Sequence, residues 1–564
     1  MRLYLSKSFD AGNIDDIKKE FNALSKKEFN SVDDIESWLL LRGELLAALS
    51  EEKAKRYISM TCNTLDQNIQ KKYNYFISEI EPVYKKLDFE LRKKYIKNKL
   101  DNDRYFVLNR SIQTSVDIFR DENIPLEVDD ETLKTEYQKI ISEETVEYMG
   151  EEKTLTQMSP LLLKQDRSLR QEVWEMISRR RLEDGKKLDE ILNKMILLRE
   201  KMAKNAGFQN FRDYMFRVYC RFDYSPDDCM NFHNAIEEVV VPFSRELDRD
   251  RMKQMGLESL RPWDTAVDPK GRQPLKPFDK CDELINGCLT IFNRIDKRLG
   301  FEFKKLIDNN LLDLDNRKGK APGGYLYPLE ESRVPFIFMN AVGVQDNVET
   351  LLHESGHAFH HFAAGIEELY DYRQYGMEIA EVASMSMELI GMGNLDVFYK
   401  NKDDVKRARR EQLEGIIKVL TWIASVDAFQ HWLYLTPRHT TDERREHWLD
   451  LRNRFGGLID YTGYEDAVSL SWQAQNHIYT VPFYYIEYGI AQLGALQVYR
   501  NYVNDPKRAL TLYLEGLSLG GSQPLPKLFE ALGIEFDFSL KIIKELIDFL
   551  STELRKISHC TSMM

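Results

Sequence analysis

Long apolar runs are missing from this chain. None approaches the ~18–20 residues that a membrane-spanning helix needs, which excludes a span of that kind. The opening stretch "MRLYLSKSFDAGNIDD" breaks into Ser, Lys and Asp before any secretory apolar core could form, so a cytoplasmic location is expected. Cysteine is sparse, with six in 564 residues: Cys62, Cys220, Cys229, Cys281, Cys288 and Cys560. They lie without C-x-x-C or a repeated spacing, which fits reduced thiols and not a disulfide framework or a cysteine-ligated zinc site. Excess basic charge is also lacking. Ninety-two acids against 79 Lys and Arg leave a net charge of −13, the wrong sign for a general nucleic-acid binder. Basic runs such as "ISRRRLEDGKK" are interleaved with acids and read as solvated helix faces. No low-complexity tract or fixed-period repeat occurs, and nothing in the pattern specifies an oligomeric state.

What is present is helical texture. "IDDIKKEFNALSKK", "SVDDIESWLLLRGELLAALSEEKAKRYISM", "SRRRLEDGKKLDEILNKMILLREKMAKNAGF" and the C-terminal "FSLKIIKELIDFLSTELRKI" place apolar residues at three- and four-residue intervals, the first two with Asp or Ser at the start. Strand signals are few. "ETVEYMGEEKTLTQM" alternates around Gly150 like a hairpin. "RKGKAPGGYLYPLEESRVPFIFMNAVG" combines a Gly/Pro-rich turn, the triplet "YLY" and an apolar run from Phe336 to Met339. "RPWDTAVDPKGRQPLKPFDK" reads as a long ordered loop. The expectation is a mainly α-helical protein with a small β element, divided into an N-terminal helical region, 1–180, and a catalytic helical region, 181–564.

Histidine is scarce as well, with ten in the chain, yet "TLLHESGHAFHHF", residues 350–362, holds His353, His357, His360 and His361. His353 and His357 are four apart, a rotation of about 40° and a rise of about 6 Å on an α-helix, so both imidazoles can converge on one ion. Glu354 between them completes H-E-x-x-H. Zinc asks for such a set: two neutral imidazoles, a third protein ligand and one open position for water. Glu354 then stands where it can take a proton from that water. The expected helix spans 347–364, with Asp346 as N-cap, Glu349 closing a capping box and Gly365 as the C-terminal stop. Downstream, "YGMEIAEVASMSMEL", residues 375–389, supplies Glu378, Glu381 and Glu388 in apolar surroundings. One of them could bind the metal while a neighbour holds a ligand histidine by its other ring nitrogen; spacing alone leaves the order open.

H-E-S-G-H with the further His360, followed by "EIAEVAS", resembles the oligoendopeptidase F family within the thimet-oligopeptidase group of gluzincin metallopeptidases. "GEEKTLTQMSPLLLKQDRSLRQEVWE", "REKMAKNAGFQNFRDYMF", "KGKAPGGYLYP", "PFIFMN" and "HIYTVPFYYIEYG" extend the resemblance over most of the chain, least distinctively in the first hundred residues. The resemblance implies a closed, ellipsoidal multi-helix fold with a deep substrate channel that admits short unfolded peptides. It implies one Zn2+ per chain held by His353, His357 and Glu381, although Ala383 stands where the wider group carries proline. It makes Glu378 a supporting partner of the ligands, joined by His360 from one turn away.

In "HIYTVPFYYIEY", His477, Tyr485 and Tyr488 match the histidine and tyrosines that related peptidases aim at the substrate's developing oxyanion. Tyr484 is a rival for the same position. Gly323, Gly324 and Tyr325 open a segment whose exposed strand edge would pair with an extended peptide backbone. The reading is a zinc-dependent endopeptidase acting on short peptides, with Glu354, His477, Tyr485 and Tyr488 as catalytic groups. The alternatives are a metallo-exopeptidase on the same scaffold, and a non-catalytic peptide-binding protein with structural zinc.

Overall fold

The computed structural model describes residues 2–317, 319–321 and 323–559; Cys560 lies outside them. Helix takes 71% of the chain, against about a third in an average globular protein. The helices that matter below are Val32–Cys62 (α1), Arg167–Asn205 (α2), Pro226–Ala235 (α3), Gln345–Ala364 (α4), Met377–Gly391 (α5), Lys402–Leu435 (α6), Tyr485–Asn504 (α7) and Leu540–His559 (α8). Their starts follow the capping chemistry of the sequence. Ser31 Oγ accepts from Asp34 N at 3.2 Å while the Asp34 carboxylate accepts from Ser31 N at 3.0 Å, a capping box that satisfies otherwise orphaned amides of α1. Ser225 caps α3 in the same way, with Pro226 at the first helical position, where its missing N–H costs nothing.

Among the described residues the strands lie in two places. β1 (Thr145–Tyr148) and β2 (Glu151–Thr154) form the hairpin expected around Gly150. Met149 and Gly150 have φ of 55° and 79°, the left-handed pair that a two-residue turn needs to match strand twist. The second sheet is β3 (Leu312–Asp315), β4 (Tyr325–Leu329) and β5 (Val334–Ala341), in the order β3-β5-β4. β4 runs antiparallel to β5 and β3 parallel to it. "YLY" and Phe336–Met339 thus fall in strands, whereas the four-residue "LDLD" of β3 is too short to signal itself. Lys320 pins the loop after β3. Its buried ammonium donates to the carbonyl oxygens of Asp313, Asp315 and Met339 at 3.0, 2.8 and 2.6 Å and pairs with the Asp313 carboxylate at 2.8 Å.

The chain forms two compact units, each assembled from three stretches: Met1–Phe119, Pro277–Val405 and Gly494–Phe536 in one; Arg120–Lys276, Lys406–Leu493 and Asp537–Met564 in the other. The first contains α1, β3, β4, β5, α4 and α5, and its core gathers Trp38, Leu39, Leu45, Tyr95 and Tyr372. The second contains the β1–β2 hairpin, α2, α3, α8, most of α6 and the start of α7.

Two details of α4 differ from expectation. Its N-terminus is capped by Asn347, whose Oδ1 accepts from Val342 N and Val344 N at 2.8 and 3.2 Å, and not by Asp346. The helix begins two residues earlier than expected, so Asp346 already lies inside the first turn. Gly365 at the other end is right-handed, with φ −63° and ψ −12°, so the helix ends without a left-handed stop.

Helices α4 and α5 touch closely because Gly356 carries no side chain. A Cβ there would stand 2.6 Å from Ser384 Cα and 2.7 Å from Ala383 O. Ala favours an exposed helix interior over Gly by about 1 kcal/mol, but overpacking of this kind costs about 1–3 kcal/mol. Gly356→Ala should therefore lower the thermal midpoint and release bound metal, measured by calorimetry and elemental analysis. An unchanged midpoint with full metal content would show that the helices do not meet at this point.

Candidate metal centre

The contact at Gly356 sets two helices face to face, and each brings its polar residues to the same place. His353, His357 and Glu381 each offer one donor atom, all within 4.8 Å of one another. Glu381 Oε2 lies 3.3 Å from His353 Nε2 and 3.5 Å from His357 Nε2. Two ligands of one tetrahedral zinc, each at 2.0–2.1 Å, stand ~3.3–3.4 Å apart, and both histidines stand close to that spacing from Glu381. Glu381 is held in turn by Ser384, whose hydroxyl donates to Oε2 at 2.9 Å. His353 Nδ1 meets Glu388 Oε1 at 2.6 Å, which leaves Nε2 to face Glu381. Metal-ligating histidines are commonly oriented by a carboxylate in this manner.

Electrostatics follow from burial. Desolvation opposes charge on His353, but Glu381 and Glu388 outweigh it and hold the imidazole well above its ordinary pKa. Burial pushes Glu381 up, and the two histidines overcome it, so this carboxyl stays well below the usual range. Glu354 goes the other way. It is buried, and desolvation raises its pKa, His353 and His357 partly offsetting this and Glu381 and Glu388 adding to it. A buried carboxylate shifted toward neutrality is suited to accept a proton and give it back.

The other expected residues are placed as follows. Glu378 is buried in the first turn of α5, its carboxylate against Gly376. His360 stacks on Tyr375 with ring centroids 3.6 Å apart, and both its ring nitrogens are buried without a hydrogen bond. The Gly-rich segment lies beside α4. Gly323 is left-handed, with φ +93°, and a Cβ on Gly324 would stand 3.5 Å from Thr350 Cγ2, one turn before His353. Asn340 Nδ2 donates to Ala321 O and Gly323 O at 2.8 and 2.9 Å. Tyr325 stacks on Phe338 at 4.7 Å and shares a 2.5 Å hydrogen bond with Thr61.

His477, Tyr484, Tyr485 and Tyr488 belong to the second unit, where they form one cluster. Gln475 joins them. Its Nε2 donates to His477 Nδ1 at 2.8 Å, and its Oε1 accepts from Trp422 Nε1 at 2.9 Å and from Tyr485 Oη at 3.2 Å. An amide NH2 only donates, so Nδ1 of a neutral His477 is the acceptor, and Nε2 carries the proton that reaches Tyr488 Oη at 3.2 Å. Burial pushes the Tyr485 phenol up to about 12, which keeps it neutral and a donor. The helix that carries the tyrosines starts from a constrained backbone. Phe483 has φ 65°, its N–H donates to Gln430 Oε1 at 3.1 Å, and Arg221 binds both its carbonyl oxygen and Glu487.

Residues 161–547, more than half of the chain, match the model of peptidase family M3, and residues 8–106 match that of the peptidase M3 N-terminal domain. The chain belongs to peptidase family M3. Among solved structures it resembles Pz peptidase A, with TM-score 0.92, 26% identity and coverage of 97% of this chain and 98% of that one. It also resembles a structure described as an oligoendopeptidase F, with TM-score 0.92, 25% identity and coverage of 98% of both chains. Oligopeptidase PepF of Bacillus subtilis is 25% identical over 274 residues, 45% of this chain and 39% of that protein. The chain thus spans less than half the length of that curated relative. The family and the mainly helical peptidase fold expected from the motifs are both borne out.

Within this M3 member the helical spacing brings His353, His357 and Glu381 together as expected. Glu388, one of three acids that spacing left open, is the residue seen on His353. Gln475 was not singled out; its only signal is its place two residues before His477. Replacing Glu388 by Gln removes the charge that orients His353, and such partners are typically worth about 10- to 100-fold in metal affinity. Competition with a chelator should show that loss for Glu388→Gln and a larger one for Glu381→Ala. Loss of metal from Glu378→Ala but not from Glu381→Ala would reverse the ligand order.

Proposed function

We propose that this protein is a zinc-dependent endopeptidase that hydrolyses internal bonds of short unfolded peptides. The observation that carries the reading is the pairing of three donors that lie within 4.8 Å of one another with Glu354, a buried carboxylate between the two histidines. One zinc ion per chain, held by His353, His357 and Glu381, would polarise the scissile carbonyl and make a water acidic enough to be deprotonated by a carboxylate.

The rest of the chemistry belongs to the chain. Glu354 Oε takes a proton from the attacking water and delivers it to the leaving amine, its raised pKa making the carboxylic acid a serviceable donor in the second half. Glu388 keeps His353 in the tautomer whose Nε2 faces the ion. Tyr485, Tyr488 and His477 act as neutral donors to the carbonyl oxygen as it gains charge, with Tyr484 as the neighbour that completes the cluster. A donor of this kind stabilises the transition state more than the substrate. Gly323, Gly324 and Tyr325 line the backbone on which an extended peptide would lie. Cys62, Cys229, Cys281 and Cys288 are free thiols, which supports a reducing, cytoplasmic setting.

The test is mass spectrometry of a short peptide acetylated and amidated at its ends. Internal cleavage is expected, abolished by a chelator and reduced by about 100- to 10,000-fold in Glu354→Gln, which should still hold its metal. Retained turnover in Glu354→Gln would overturn the base assignment. Trimming of unblocked peptides only would point to an exopeptidase, and binding without products to a non-catalytic protein.

A further inference from the structure

The second unit contains a buried polar cluster that the centre above does not use. α3 carries Cys229 and His233 one turn apart, and α6 carries Asp427 and His431 one turn apart, so each helix presents two metal-ligating side chains on one face. Cys229, His233 and Asp427 are 0% exposed and His431 is 2% exposed. The donor atoms of Cys229, Asp427 and His431 lie within 4.8 Å of one another.

The hydrogen bonds within the cluster do not close it. His233 Nε2 meets Asp427 Oδ2 at 2.8 Å, and the Cys229 thiol donates to Ser225 O at 3.5 Å. His431 Nε2 is 3.4 Å from the same Oδ2 without the alignment of a hydrogen bond. Asp427 Oδ1, both ring nitrogens of His431 and His233 Nδ1 are left buried with no partner. Aromatic rings crowd the histidines: the His431 ring stands edge-on to Phe216 and Phe483, and His233 edge-on to Phe455. A buried donor or acceptor without a partner costs about 1–3 kcal/mol, and buried polar atoms in native proteins are nearly always satisfied. Four orphaned atoms converging beside a thiol are what a site looks like without its ion.

We propose that Cys229, Asp427 and His431 hold a second zinc ion, structural in role, that ties α3 to α6, with His233 fixing the Asp427 carboxylate. A thiolate, an imidazole and a carboxylate together select a borderline-soft ion such as zinc over magnesium or calcium, which take oxygen ligands. Asp427 Oδ1 has an unused lone pair on the side away from His233, and the His233–Oδ2 bond is the orienting contact that ligating carboxylates commonly receive. Binding forms a Zn–S bond at Cys229, whose thiol proton leaves to solvent. Complete burial requires the ion to enter as this unit folds, which couples the site to folding stability.

Two measurements on the full chain test the proposal. Elemental analysis by plasma mass spectrometry should give two zinc ions per chain, falling to one in His357→Ala, which removes a ligand of the first centre only. Protein produced with cobalt(II) in place of zinc should show a sulfur-to-cobalt charge-transfer band in the near ultraviolet. The first centre has no sulfur ligand, so the band reports Cys229 alone. It should survive in His357→Ala and vanish in Cys229→Ser. One ion in the wild type, none in His357→Ala and no sulfur band would overturn the second site. One ion that persists in His357→Ala with the band intact would support it and overturn the first centre instead.

Discussion

The contact at Gly356 is the constraint on which the first unit depends. Two helices separated only by backbone atoms cannot slide or rotate without collision, so the side chains on either side of the contact are fixed relative to one another to a fraction of an ångström. His353 and His357 flank the glycine on one helix, and Glu381 and Ser384 flank the contact on the other. The geometry of the three donors is therefore a product of helix packing and not of their own attraction. That order of causes matters, because three polar side chains brought together without such a frame would each relax toward water.

Burial then determines what each acid does. Glu381 and Glu354 stand around the same pair of imidazoles, yet Glu354 is pushed toward protonation while Glu381 is held ionised. Contact with a cationic partner separates them, since Glu381 touches both rings and Glu354 touches neither through a hydrogen bond. Two buried carboxylates thus acquire different chemistry because one lies on the histidines' own helix and the other on the helix facing it.

The local grammar of the sequence was readable to the extent that the physics was local. Helix periodicity, the hairpin at Gly150, the strands at "YLY" and Phe336–Met339 and the i, i+4 histidines all depend on neighbours a few residues away. What escaped depends on distance in sequence. β3 is four residues long and exists because β5 gives it a parallel partner. The cap of α4 is Asn347 because that side chain reaches back to two amides that Asp346 cannot reach. Glu388 and Glu378 have equal standing on a helical wheel, and only the approach of α4 decides which meets His353. Cys229 and His431 are isolated in sequence by some two hundred residues and become neighbours through the crossing of α3 and α6. Composition could describe such residues only as ordinary core.

The loop between β3 and β4 is secured at both ends, by Lys320 on the carbonyls of Asp313, Asp315 and Met339 and by Asn340 on those of Ala321 and Gly323. Its glycines would otherwise make it the costliest stretch of the unit to order. With that ordering completed during folding, a peptide lying along Gly323 and Gly324, as proposed, would lose conformational entropy only in its own chain. Discrimination among ligands at this loop then reflects how stiff each one already is, so that a proline-rich or cyclised chain gains over a flexible one of equal contact area.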